Sequence, residues 1–113
     1  MSKYQKKLEE VQKLFGDLGQ TLPDATQAFG GFLQNASKSG ELSAKIKEVI
    51  AVSLSVATHC EWCIPYHVKN ALDLGATRTE ILEACMVAVT MGGGPSLMSI
   101  IPVTEAIDEF SSN

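Results

Sequence analysis

The sequence predicts an all-α fold, a bundle of about six helices joined by short connections, with a Cys-x-x-Cys pair at the start of a central helix. Three observations carry this. No segment alternates apolar and polar residues between turn signals, as a half-buried strand would. Apolar residues instead recur three and four apart along most of the chain. Between these stretches lie capping residues, glycines and prolines of the kind that start and stop helices. The 113 residues are near the commonest size of a single domain. Residues 1–113 are therefore expected to form one domain around one core.

The first helix follows from Tyr4, Leu8, Val11, Phe15 and Leu18, which step by 4, 3, 4 and 3 to make one apolar stripe. Gly16 and Gly19 weaken its end. The second starts at Pro23, a residue suited to the first helical position. It is expected to bury Ala25, Phe29, Phe32, Leu33 and Ala36, although Gly30-Gly31 lies inside it. Residues 37–40, "SKSG", read as a loop. Ser43 caps a third helix with Ile46, Val49, Ile50, Leu54 and Ala57 on its inward face. A fourth ends at Asp73-Leu74, with Gly75 just past the C-terminus. Thr77 and Glu80 in "TRTE" form a capping box that opens a fifth helix, running through Ile81, Ala84, Cys85 and Ala88 to Gly92. "GGGP" at 92–95 stops it, and Pro95 starts a sixth that reaches Phe110 with a kink at Pro102.

Composition narrows the function classes. Hydrophobic residues make up 45% and charged ones 19%, ordinary values for a globular protein. The net charge of −4 gives no reason to expect a nucleic-acid partner. The early lysines Lys3, Lys6, Lys7 and Lys13 are interrupted by Glu9, Glu10 and Asp17, as on a solvated helix face. No apolar run reaches the ~18 residues of a transmembrane helix, so no membrane association is expected. The polar N-terminus lacks the apolar segment of a signal peptide, which makes a cytoplasmic location the default. Three cysteines are too few for a disulfide scaffold. In a reducing compartment, a close pair points to catalysis or metal binding.

That pair lies in "THCEWCIPYH" at 58–67. Thr58 and Glu61 have capping-box spacing. A helix starting there places Cys60 in its first turn, where the helix dipole favours a thiolate. Pro65 would then lie past the first turn, so the helix either starts later or kinks. Cys60, Cys63 and His67 share the i, i+3, i+7 face of a helix, and the two cysteines are placed to form a disulfide across one turn. If the third and fourth helices fold back around residue 58, Glu48 and His67 lie at matching depths, roughly 14–15 Å from the turn. A carboxylate there would orient His67, which faces Cys63 in turn, an arrangement that activates nucleophiles. Zinc is the competing use. Cys60, Cys63 and His67 supply three ligands, and His59 or Cys85 would have to supply a fourth. A c-type haem needs histidine where Ile64 stands. A thioredoxin-like site needs a strand before the pair. Cys85 reads as a small core residue.

The spacing Glu48, Cys60, Cys63, His67 resembles that of the carboxymuconolactone decarboxylase superfamily, in its alkylhydroperoxidase D-like, single-motif branch. "GATRTEILEA" at 75–84 and "GGGPSLM" at 92–98 are similar too, and the resemblance covers about residues 40–108. It implies an all-α fold, a homo-oligomer of trimeric or hexameric type, and thiol peroxidase or disulfide-reductase activity without a bound cofactor. On that resemblance Cys63 attacks a peroxide or small disulfide, Cys60 resolves, and Glu48 and His67 relay protons. A lipoyl or thioredoxin-type thiol would be the reductant. The second histidine common between the cysteines of that branch is Trp62 here. Two further readings stand beside this one. One is the decarboxylase chemistry that names the superfamily, which requires no cysteine pair. The other is a structural or metal-stapled oligomer without catalysis.

Overall fold

The computed structural model describes residues 2–111, and all six elements among them are helices. They are α1 (Lys3–Thr21), α2 (Pro23–Ser37), α3 (Ala44–Ala57), α4 (Cys63–Asp73), α5 (Arg78–Met98) and α6 (Ile100–Ser111). The core lies where α3 packs on α4 and α5 and where α4 packs on α6. Val52, Val56, Ile64, Val68, Ile81, Cys85 and Val103 are fully buried there. Helices α1 and α2 fold back on each other about Leu22, and the hairpin rests mainly on α4 through α1.

Several termini form as their residues dictate. Ser43 Oγ accepts the Ile46 N–H at 3.1 Å and caps α3. Thr77 and Glu80 make both halves of the capping box on α5. Gly75 adopts φ 92° after α4, and the Ala76 and Gly75 amides return to Ala71 and Leu72 at 2.9 and 3.0 Å. That is a Schellman ending, which needs a left-handed residue at its turn. The start of α1 is capped from outside. Ser2 makes no side-chain cap bond within α1. Glu109 of α6 instead accepts the Tyr4 and Gln5 amides at 3.2 and 2.8 Å and the Ser2 hydroxyl at 2.6 Å. Burial pushes the Glu109 carboxyl up, but these bonds hold it below the usual carboxylate range. Tyr4 also donates its hydroxyl to Glu105, which anchors the helix start to α6.

Four expectations are corrected. First, α2 buries none of its residues; Phe29 and Phe32 are 49% and 66% exposed. It leans on α1 and barely touches α3, so its apolar side has no core beneath it. Second, the inward face of α3 is rotated from the expected stripe. Glu48, Val52, Ser55 and Val56 are buried, while Ile46, Ile50 and Leu54 face out. The two polar residues can turn inward because both find partners; the Ser55 hydroxyl, for one, donates to the Ala51 carbonyl at 2.7 Å. Third, α5 breaks at Gly93 (φ 66°, ψ −148°) but resumes, so Pro95 lies within it. The last helix starts at Ile100, which puts Pro102 in its first turn, where a missing N–H breaks no bond. Fourth, α5 is long and apolar enough to cross a membrane by length and composition. The break at Gly93 leaves its first part only about 22 Å long, short of a ~30 Å hydrocarbon core.

The glycines give a paired prediction. Gly75→Ala should lose about 1–2 kcal/mol by forcing a side chain into the left-handed region. Gly16→Ala, at an exposed helical position with open space around it, should gain roughly 0.5–1 kcal/mol. Urea unfolding of both variants checks this; equal or same-sign shifts would refute it.

Candidate active site

The segment between α3 and α4 sets the site. Thr58 closes α3 as its C-cap and does not open the next helix. The His59 amide bonds the Val56 carbonyl at 3.2 Å and the Cys60 amide bonds Ser55 at 3.0 Å. This is a second Schellman ending, with His59 at φ 56° where glycine is usual. A non-glycine residue in the left-handed region costs about 1–2 kcal/mol. The His59 ring is held in place by Ser99 Oγ, 2.8 Å from Nδ1.

The expected capping box at Thr58 and Glu61 therefore does not form. Thr58 Oγ1 bonds back to Leu54, and Glu61 pairs with Lys7 of α1 at 2.8 Å. The fourth helix begins at Cys63. Pro65 then falls in the first turn, where an N–H would be an orphan anyway. Trp62 offers no side-chain cap. Cys60 does this work instead: its Sγ accepts the Cys63 amide at 3.2 Å and its carbonyl accepts the Ile64 amide at 3.1 Å.

Cys60 and Cys63 are joined by a disulfide, with Cα atoms 5.2 Å apart. The bond spans a turn and the helix start, not two positions of one helix. His67 lies one turn beyond Cys63, and both line the same cavity. Its Nδ1 is 2.9 Å from Glu48 Oε2. Glu48 is 7% exposed, so its carboxylate needs partners to be tolerated. Asn70 supplies the second, donating Nδ2–H to Oε1 at 3.4 Å. With Nδ1 donating to the carboxylate, Nε2 is left free to accept or deliver a proton. Tyr66 meets the His67 ring edge-on, 5.0 Å between centroids.

Three contributors have no clear signal in the sequence. Asn70 stands three residues after His67, so its place beside Glu48 follows only once α3 and α4 are docked. Lys7 and Glu10 of α1 hold Trp62, with Lys7 Nζ 4.6 Å from the ring centroid and the indole N–H donating to Glu10 at 3.2 Å. Both lie more than fifty residues before it. His59 and Cys85 do not join the cysteine pair as ligands: His59 turns to Ser99, and Cys85 is fully buried. Among the described residues no three His, Cys, Asp or Glu side chains converge as a metal site.

Residues 23–106 match the Carboxymuconolactone decarboxylase family, so the match takes in α2 as well as the cysteine segment. The chain is 41% identical over 92 residues to an uncharacterized protein of Cupriavidus necator, covering 81% of each. The crystal structure of a carboxymuconolactone decarboxylase family protein from Legionella pneumophila superimposes with a TM-score of 0.92 at 38% identity, covering 96% of both chains. A family protein of Thermotoga maritima, for which involvement in antioxidative response has been suggested, gives 0.84 at 26% identity, over 95% of this chain and 91% of that one.

Burial pushes the Cys85 thiol up to about 11, so it stays protonated and shielded at neutral pH. Peptide mapping after mild oxidation and alkylation should find Cys60 linked to Cys63 and Cys85 unlabelled until the chain is unfolded. A main product linking Cys85 to either cysteine would overturn the arrangement.

Proposed function

The chain belongs to the carboxymuconolactone decarboxylase family, and we propose that it is a thiol–disulfide oxidoreductase of antioxidant type, reducing a peroxide or a small disulfide through Cys60 and Cys63. One observation carries the reading: a disulfide seated on the N-terminus of α4, with a carboxylate-held histidine one turn along. A helix N-terminus favours thiolate over thiol, and a neighbouring histidine can take up or return the thiol proton. The decarboxylation that names the family calls for no such pair.

In the reduced protein the Cys63 thiolate attacks the distal oxygen of R–O–O–H. An S–O bond forms and the O–O bond breaks. The sulfur becomes a sulfenic acid, and the departing alkoxide takes a proton from His67 to leave as R–OH. The Cys60 thiol then displaces water from the sulfenic sulfur and restores the disulfide. With a small disulfide, Cys63 displaces one RS⁻ to give a mixed disulfide, and Cys60 displaces the other. A dithiol reductant of lipoyl or thioredoxin type returns both cysteines to thiols by attack on Cys63. Cys60 then leaves as a thiolate next to the Cys63 amide that already points at its sulfur. Glu48 acts only through the ring, fixing its orientation and its tautomer.

We also propose a homo-oligomer, trimeric or hexameric as in the family resemblance. Support comes from the outward row Ile46, Ile50 and Leu54 on α3 and from Met86, Val87 and Met91 on α5, all exposed in the single chain. Rows of exposed apolar side chains on two helices packed together are candidates for a subunit interface. Light scattering at micromolar concentration should find a multiple of the 12.1 kDa chain; a stable monomer would refute it.

The relay has its own test, in a background where Cys60 and Cys85 are serine. Glu48→Gln should slow alkylation of Cys63 at neutral pH by roughly tenfold, the equivalent of a charged hydrogen bond worth about 1.5 kcal/mol. His67→Ala should slow it at least as much. The double variant should be no slower than His67→Ala, because the two act in series. An unchanged or faster rate in Glu48→Gln would leave Glu48 a structural role only.

A further inference from the structure

An open cleft of about 200 Å³ lies beside Cys63. It is lined by Val11 and Phe15 of α1, Phe29 and Leu33 of α2, and Trp62, Cys63, Tyr66 and His67 at the start of α4. The two phenylalanines stack across the hairpin, 6.3 Å between centroids and 18° between planes.

No lysine, arginine, aspartate or glutamate lines this space. The nearest charged groups are already engaged: Lys7 with Glu61, Glu10 with the Trp62 indole N–H, and Glu48 with the His67 ring. That leaves the His67 ring and the Tyr66 hydroxyl as the polar groups available to an occupant. A carboxylate or ammonium entering here would lose its water and meet only the His67–Glu48 pair, whose members already engage each other, so a cost of several kcal/mol is left largely uncompensated. An apolar group loses nothing polar and gains burial, worth about 25 cal/mol per Å². The size is sufficient: an apolar cavity of about 150 Å³ is enough to bind benzene, so this one has room for a single ring or a short branched chain. The cover is loosely held, since α2 buries no residue and barely touches α3. A thinly packed element is one that opens at low free-energy cost.

We propose that this cavity is the subsite for the organic group of the substrate, with Phe29 and Leu33 as specificity-determining residues. The substrate is then an uncharged hydroperoxide or disulfide carrying an apolar aryl or branched alkyl group. Charged disulfides of the glutathione kind are excluded. The inference rests on Cys63 as the attacking sulfur, but binding itself does not require the sulfur to react.

Two measurements test it and separate it from the redox reading. First, the protein with Cys60 and Cys85 replaced by serine is mixed with cumene hydroperoxide, hydrogen peroxide, 4,4′-dithiodipyridine and dianionic 5,5′-dithiobis(2-nitrobenzoate). Each rate is divided by that reagent's rate with free cysteine. The uncharged aryl reagent of each class should exceed its small or charged counterpart at least tenfold. The two arms tell whether peroxide or disulfide is the better electrophile. Phe29→Ala should cut the preference at least fivefold, and Leu33→Lys should shift it toward the dianion. Second, the oxidised native protein, which cannot attack a substrate, is titrated with 2-phenyl-2-propanol and with benzoate while Trp62, the one tryptophan, reports by fluorescence. The alcohol should give a saturable change that Phe29→Ala weakens, and benzoate none. Equal normalised rates, or a preference untouched by Phe29→Ala, would overturn the subsite while leaving the redox reading intact. Should the thiols react with none of the reagents, the redox reading falls and the titration decides the subsite: saturable alcohol binding upholds it, and its absence overturns it.

Discussion

A buried carboxylate organises this molecule. Glu48 lies on the inward face of α3, where an unpaired charge would not be tolerated. Its two oxygens are met by His67 and Asn70, both from α4. Those bonds fix the rotation of α3 and its depth against α4 together. A slip of either helix by one residue would turn a donor away and strand the charge. Because His67 is one turn from Cys63, the same register sets where the histidine stands relative to the disulfide. Its outward consequence is equally direct. With Glu48 and Ser55 turned in beside Val52 and Val56, the apolar row Ile46, Ile50, Leu54 must face out.

The second constraint is the reversal between α3 and α4. The chain leaves α3 through a left-handed His59 and re-enters a helix at Cys63, only four residues later. The short path leaves Cys60 outside the helix yet against its first amides. The Cys60 sulfur therefore caps the start of α4 and is also the one bonded to Cys63. α1 holds this turn down from above: Lys7 and Glu10 grip Trp62 and Glu61. Where the related alkylhydroperoxidase pattern has a second histidine, this chain has an anchoring side chain. In the proposed reaction, protons then pass through His67, held by Glu48.

Much of this could be read from the sequence, for reasons that differ by element. Ser43, Gly75 and the Thr77–Glu80 box act on their own backbone, so local chemistry was enough to place three helix ends. Depth matching around residue 58 brought Glu48 and His67 together, because helix rise is constant. The errors were of another kind. The face of α3 was assigned by apolarity, but two polar residues with buried partners occupied the inside. The helix at Thr58 was expected from a capping spacing that the end of α3 consumed first. The burial of α2 was expected from an apolar stripe with no core beneath it. Asn70, Lys7 and Glu10 gave no local signal at all, since each acquires its partner only through docking. Spacing exposes what a residue does to its neighbours; it does not expose which side of a helix the rest of the chain covers.

The central claim is that Cys60 and Cys63 form one two-electron couple in which Cys63 reacts first and Cys85 takes no part. Rapid mixing of the fully reduced protein with one equivalent of cumene hydroperoxide, quenched at intervals with an alkylating reagent, tests it most directly. The account predicts that two of the three thiols per chain disappear in step with peroxide consumption, that both map to Cys60 and Cys63, and that Cys63→Ser abolishes the reaction. Retention of all three thiols, or a loss that falls on Cys85, would contradict it.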